Sequence, residues 1–188
     1  MILVTGCARS GTSLTAGVLR ACGASLGPTN DLNENTHIRE KVLKPMIESV
    51  GGDRMGQDPL PPIDAHPAPP VINGVTAYKD AKLCLVWRAW DEAFPDAKWI
   101  IVRRNAESIA ESCLRTPFMR AHSTKAGWLQ WVEEHVRRFD QMKKQLDVIE
   151  VWTDTEITEG YRQMIEFCGL DYNESAVRRE INPELFHA

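Results

Sequence analysis

Two rhythms of apolar residues alternate along this chain. Short apolar runs at about 2–5 (Ile2-Leu3-Val4-Thr5) and 99–102 (Trp99-Ile100-Ile101-Val102) have the length and branching of buried strands, and further strands are read near 74–78 and 148–152. Between them, apolar residues recur every three or four positions. Leu14, Val18 and Cys22 mark a helix over about 12–22, with Gly23 as its natural stop. Ile38, Val42, Leu43, Met46, Ile47 and Val50 share one face of a second helix over about 36–50, with Pro45 as a kink. A third, about 81–93, turns Leu83, Trp87 and Trp90 inward, and Asn105 caps a fourth that ends before Pro117. A long helix over about 125–146 carries Trp128, Trp131 or Val132, Val136, Phe139, Met142 and Leu146 inward, and a last one, about 155–168, stops at Gly169. Strands alternating with helices make βαβ units, so the fold class is a three-layer α/β/α with a mostly parallel sheet. The length fits one domain over residues 1–188.

The rhythm breaks once. From Gly51 to Pro70, within a connecting stretch 51–72, the chain is rich in Gly, Pro and Asp. A loop of that length in a small domain is functional or mobile, and it is expected to border the pocket of whatever the protein acts on. The net charge of −4 argues against a general nucleic-acid binder, yet it permits a small anionic ligand held by a few local cations. The five cysteines form no CxxC pair, so no zinc site is expected, and their odd number fits reduced thiols. No basic leader or long apolar run opens the chain, which reads as cytoplasmic with no membrane span.

The candidate chemistry lies between the first strand and the first helix. Gly6-Cys7-Ala8-Arg9-Ser10-Gly11-Thr12-Ser13 fits the phosphate-loop frame GxxxxGx[ST], with Thr12 where nucleotide hydrolases carry lysine. The glycines let successive N–H groups turn inward around an anion, and the following helix adds positive partial charge. Arg9, three positions before Thr12, supplies a permanent cation suited to phosphate or sulfate oxygens. The plainer reading is a tight turn with an exposed arginine. Cys7 does not make a phosphatase, because Ser13 stands where a Cys-x5-Arg motif needs arginine. A second anion site is read at the end of the 99–102 strand, where Arg103 and Arg104 precede a helix N-terminus.

Residues Gly6 to Ser13, with Arg-Ser-Gly-Thr-Ser after a strand, resemble the 5'-phosphosulfate loop of sulfotransferases, closest to the tyrosylprotein and bacterial types. The resemblance implies a P-loop NTPase-like fold and transfer of a sulfuryl group from 3'-phosphoadenosine-5'-phosphosulfate (PAPS), leaving PAP. The acceptor would be a hydroxyl or amine on a small molecule, sugar or peptide, and no metal is required. It implies that Gly6, Ala8, Arg9, Ser10, Gly11, Thr12 and Ser13 hold the 5' end. It also implies that Arg104 and Ser112, eight residues apart as in the family's second signature, hold the 3'-phosphate. Tyr78-Lys79-Asp80-Ala81-Lys82 resembles a Lys-Asp-Pro-Arg segment of bacterial members without its proline. Asn33 to Glu40 resembles an Asn-x-x-Gly-x-x-Glu segment in which Thr36 replaces glycine and Arg39 falls where glutamate is expected. Phe167-Cys168-Gly169-Leu170 resembles the Phe-Leu-Gly-Leu helix end, and the family's late basic-glycine loop is missing, with Arg178 or Arg179 as substitutes.

By that analogy Arg9 neutralises the leaving phosphate, and a base in the segment 34–40 takes the acceptor's proton. Glu34, His37 and Glu40 are the candidates, with Glu40 preferred, His37 second, and Asp80 in reserve. Arg39 points into the apolar arc of its helix and calls for an anionic partner, either the sulfate or Glu34. Two other readings use the same frame: a P-loop kinase or NTPase, and a non-catalytic PAP- or nucleotide-binding module. Thr12 and the Arg103-Arg104 pair speak against the first, since neither the phosphate-bridging lysine nor a magnesium-binding aspartate is present.

Overall fold

The computed structural model describes residues 1–155 and 157–181. Successive side chains of a strand leave opposite faces of a sheet, and this chain uses both faces. Strand β1 (Ile2–Gly6) sends Leu3 one way and Ile2 and Val4 the other. Strand β3 (Lys98–Arg103) divides Trp99 and Ile101 from Ile100 and Val102 in the same manner. With β2 (Ala77–Lys79) and β4 (Val148–Trp152) they form one sheet in the order β2-β1-β3-β4, every neighbouring pair parallel.

Helices α1 (Thr12–Ala21), α7 (Ile157–Phe167) and α8 (Glu174–Glu180) cover one face, burying Val18, Leu19, Tyr161, Met164 and Val177. On the other face lie α3 (Lys44–Ser49), α4 (Trp87–Ala93), α5 (Ala106–Arg115) and α6 (Lys125–Gln145). Helix α6 contributes both Trp131 and Val132 to that core, and a ladder of rings runs along it from Trp128 through Trp131 and His135 to Phe139. The α/β class read from the sequence is the observed one. The chain leaves β1 to one side for β2 and returns to the other for β3. The carboxyl end of β1 is therefore the switch point where open parallel sheets bind ligands.

Several elements differ from the periodicity reading, each for a local reason. The second helix is not uniform: α2 (Thr36–Ile38) passes through a π-helical turn, Arg39–Leu43, before α3. Pro45 has no N–H to return to the Lys41 carbonyl, and the chain widens ahead of it, closing Lys44 N–H on the Arg39 carbonyl instead. The strand read near 74–78 is only Ala77–Lys79, because the N–H groups of Thr76 and Ala77 donate to the Ser25 carbonyl. The helix read over 81–93 splits into a 3-10 turn, Ala81–Leu85, and α4. There the buried Thr5 hydroxyl accepts the Cys84 N–H at 3.0 Å and draws it out of the helical ladder. Helix α8, capped by the Asn173 side chain on Ala176 N–H, was not foreseen; it buries only Ala176 and Val177, too few for a periodic signal.

The Gly/Pro-rich stretch 51–72 forms no helix or strand, as expected, but it is not loose. The Gly56 carbonyl accepts from the Trp131 indole, that of Pro61 from the buried Arg138, and that of Ile63 from Arg88. Gln57 bonds the Phe118 carbonyl and the N–H groups of Arg120 and Ala121. Its Asp53 accepts from the Met55 and Gln57 N–H groups and so shapes the turn. Among the described residues no helix is long and apolar enough to cross a membrane.

Candidate functional site

The loop from Gly6 to Ser13 lies at the switch point, and its shape depends on the absence of side chains at two positions. A Cβ on Gly6 would stand 2.6 Å from the Val102 carbonyl oxygen and 2.7 Å from Ser10 Oγ. Gly11 has φ 98°, and a Cβ there would meet Thr153 Cγ2 at 2.9 Å. Arg9 also takes a left-handed φ of 70°, an uncommon conformation for a residue with a side chain. The Thr153 hydroxyl, just beyond β4, holds the loop from above at 2.8 Å from the Ser10 carbonyl. Thr153 was not singled out from the sequence, since its contact spans 143 residues.

Within the loop the Ser10 hydroxyl is fully buried and has no hydrogen-bond partner among the described residues, which is costly unless a ligand supplies one. Thr12 is buried, and Ala8 and Ser13 are half-buried. Cys7 is buried among the core residues; burial, then the neighbouring Cys84, pushes its thiol well above the ordinary range, so it is no nucleophile.

Three residues read from two separate motifs, Arg9 from the loop and Arg104 with Ser112 from the second signature, meet here. Arg9 Nε donates to Ser112 Oγ at 2.9 Å, and Arg104 Nη1 donates to the Arg9 carbonyl at 3.1 Å. Neither Arg9 nor Arg104 has a carboxylate partner among the described residues, unlike Arg103. That residue pairs with Glu150 at 2.6 Å and lies over the rings of Phe139 and Trp152. Two exposed or half-buried guanidinium groups beside an anion loop leave a local positive field in a chain of net negative charge. A cavity of about 190 Å³ opens below them, between α5, α6 and the end of β4; its lining includes Cys7, Arg104, Phe139 and Trp152.

At the other end of the loop the structure reveals Lys79, which the sequence reading quoted within a segment but gave no role. Its ammonium is almost fully buried at the end of β2 and bonds Ser13 Oγ and the Leu32 carbonyl, both at 3.0 Å. Glu34 Oε1 is 3.4 Å away. Arg39 does face inward, and its partner is Glu34, at 2.5 Å from Nη1 to Oε2. Asp80, fully buried, pairs with Lys82 at 2.8 Å and stands 3.8 Å from Arg39 Nε. Burial raises the Asp80 pKa, but the charge and hydrogen bonds of Lys82 outweigh it and hold the carboxyl below its ordinary value.

The two favoured base candidates lie differently. Glu40 is bound by Lys44 at 2.6 Å and approached by Arg54 at 3.6 Å; the Lys44 hydrogen bond above all keeps its pKa low. His37 is exposed on α2. Arg178 is held by Glu174 within α8 on the α1 face and is not brought to Arg104 or Ser112.

A strand, a glycine-bounded loop and a helix at the switch point of a parallel sheet define a P-loop-type α/β protein. The chain matches the family described as "Sulfotransferase domain" over residues 1–187, and it belongs to that family. No curated protein matches it.

A substitution at the first glycine tests the cradle. If the loop holds an oxyanion, Gly6→Ala is expected to weaken its binding about tenfold, because the added methyl must push back the Val102 backbone carbonyl as well as the Ser10 hydroxyl. Titration calorimetry of the variant against the parent protein measures it, and unchanged affinity would place the anion elsewhere.

Proposed function

We propose that the chain transfers a sulfuryl group from PAPS to a hydroxyl or amine on a small molecule, sugar or peptide. The observation that carries this reading is the buried, unpartnered Ser10 hydroxyl inside a loop with no room for a Cβ at Gly6. Such a cradle fits an oxyanion better than any uncharged group, and Arg9 and Arg104, which have no carboxylate partner among the described residues, supply the matching charge. Bound PAPS brings the activated sulfuryl group, and the remaining work falls to the protein's own residues.

In this reading the loop's backbone N–H groups other than that of Ser10, which donates to the Cys7 carbonyl at 3.2 Å, bind the 5' end together with the hydroxyls of Ser10, Thr12 and Ser13. Arg104 and Ser112 bind the 3'-phosphate. Arg9 spans the two, its Nε on Ser112 and its other nitrogens available to oxygens over the loop. Lys79 adds positive charge beside Ser13. For the acceptor's proton, both His37 and Glu40 stay within the proposal. The pairing of Glu40 with Lys44 weights the choice towards His37, since a carboxylate held below its usual pKa is a poor proton acceptor.

Calorimetry with PAP, without magnesium, tests the donor assignment. Low-micromolar binding is expected, and ATP with magnesium should bind far more weakly. Arg104→Ala should raise the KM for PAPS about tenfold with kcat kept, because it holds a group equally in ground and transition states. Preference for ATP would sink the proposal, and PAP binding without turnover of PAPS against any acceptor pool would reduce the protein to a binding module.

A further inference from the structure

We propose that Glu34 is a positioning residue: clamped by Arg39, it holds the Lys79 ammonium against Ser13 so that the Ser13 hydroxyl proton points into the anion loop. The inference rests on the sulfotransfer reading for its catalytic consequence, but its geometry stands apart from that reading. Lys79 has three protons and three neighbours to receive them: Ser13 Oγ, the Leu32 carbonyl and Glu34 Oε1. An ammonium with all its donors engaged is fixed in direction. Because Ser13 Oγ accepts from Lys79, its own O–H is left as a donor for something other than Lys79. The hydroxyl sits at the last position of the loop, where that something is the bound anion.

Glu34 in turn is fixed from the far side. Its Oε2 receives Arg39 Nη1 at 2.5 Å and Asn30 Nδ2 at 3.2 Å, and its Oε1 faces Lys79. Arg39 is itself placed by its inward-facing position in the π-helical turn and by Asp80 Oδ2 at 3.8 Å. A carboxylate engaged by two cations and an amide has its oxygens committed to those partners and is well suited to orient them.

The charge state of Lys79 makes the proposal measurable. Burial alone lowers the Lys79 pKa, and Glu34 is the strongest force raising it again, followed by Asp80; Lys82 acts in the lowering direction. Those three are the charged groups facing Lys79, from the loop before α2, from the end of its own strand and from the 3-10 turn. Removing the Glu34 charge therefore lets Lys79 lose its proton at lower pH.

The test is Glu34→Gln in the full chain, with two readouts. One is the titration of the Lys79 side chain by nitrogen NMR, its signal identified by its loss in Lys79→Met. The other is the pH profile of turnover. The Lys79 midpoint should fall relative to the parent protein, and the alkaline decline of kcat should begin at lower pH in the variant than in the parent. Glu34→Asp keeps the charge but shortens the reach, and should shift both readouts in the same direction by less. It serves if the glutamine variant does not fold. A Lys79 midpoint that moves in neither variant overturns the proposal. So does an equal loss of kcat at every pH, which would make Glu34 the proton acceptor. If no sulfuryl transfer is found at all, the NMR titration still decides the placement of Lys79 and the failure belongs to the reading of the reaction.

Discussion

Arg9→Ala is expected to lower kcat by roughly a hundredfold or more, the cost typical of losing a charged group aimed at developing negative charge. In the sulfotransfer reading, charge grows on the leaving 5'-phosphate as the sulfuryl group departs. Arg9 is the loop's only cation, and no carboxylate neutralises it among the described residues. The backbone of the loop survives the substitution, because the Thr153 hydroxyl grips the Ser10 carbonyl and the Gly6 turn is untouched. PAP affinity should therefore fall much less than turnover. Arg9→Lys restores charge without the Nε that bonds Ser112, and should recover part of the rate. A steady-state comparison of Arg9→Ala with Arg104→Ala measures the division of labour; equal losses of kcat with unchanged KM would contradict it.

The second large effect concerns stability. His135 is buried on α6, its Nδ1 donating to the Trp131 carbonyl at 2.9 Å and its ring packed at a tilt against Trp131, centroids 4.0 Å apart. Burial, only partly opposed by that hydrogen bond, lowers its pKa from 6.5 to about 3. The folded chain thus keeps the imidazole neutral where the unfolded chain protonates it. The unfolded state binds more protons, so stability is full above pH 6.5 and is lost as pH falls towards about 3. The slope approaches about 1.4 kcal/mol per pH unit once the unfolded imidazole is protonated, a loss of roughly 2 kcal/mol between pH 6.5 and 4.5. Glu40 and Asp80, whose pKa values are lowered, contribute with the same sign but only below their ordinary values of 4.5 and 3.8. Urea unfolding between those pH values should show the loss, and His135→Leu should flatten the curve by one proton. A parent protein equally stable across that window would contradict the assignment.

Much of this was legible in the sequence where the information is local. The two-faced strands, the glycine frame of the loop, the Asn105 cap and the stop at Gly169 each depend on residues within a few positions of one another. Arg39 was placed inward by helical phase alone, and the carboxylate it needed was close by in the chain at Glu34. What escaped was set by contacts at long range. Lys79 reaches Ser13 across 66 residues, and the strand that aims it was read three positions early because Ser25 competes for its first N–H groups. The π-helical turn at Arg39–Leu43 breaks the regular 3.6-residue phase, so phase arguments lose their value beyond it, and the contact of Glu40 with Arg54 comes from the loop that follows α3.

The stretch 51–72 has a practical consequence for anyone labelling or extending this protein. Its early part is tied by carbonyls to Trp131, Arg138 and Arg88, side chains rooted in the core, so added residues there would pull on the interior. The tether ends further on. Val71 is 85% exposed, and at Gly74 an added Cβ would meet no atom within 4 Å. A dye, an affinity handle or a whole inserted domain belongs at Asn73 and Gly74, where the backbone has little to lose; both are exposed and lie just past Ile72, which still packs on the core.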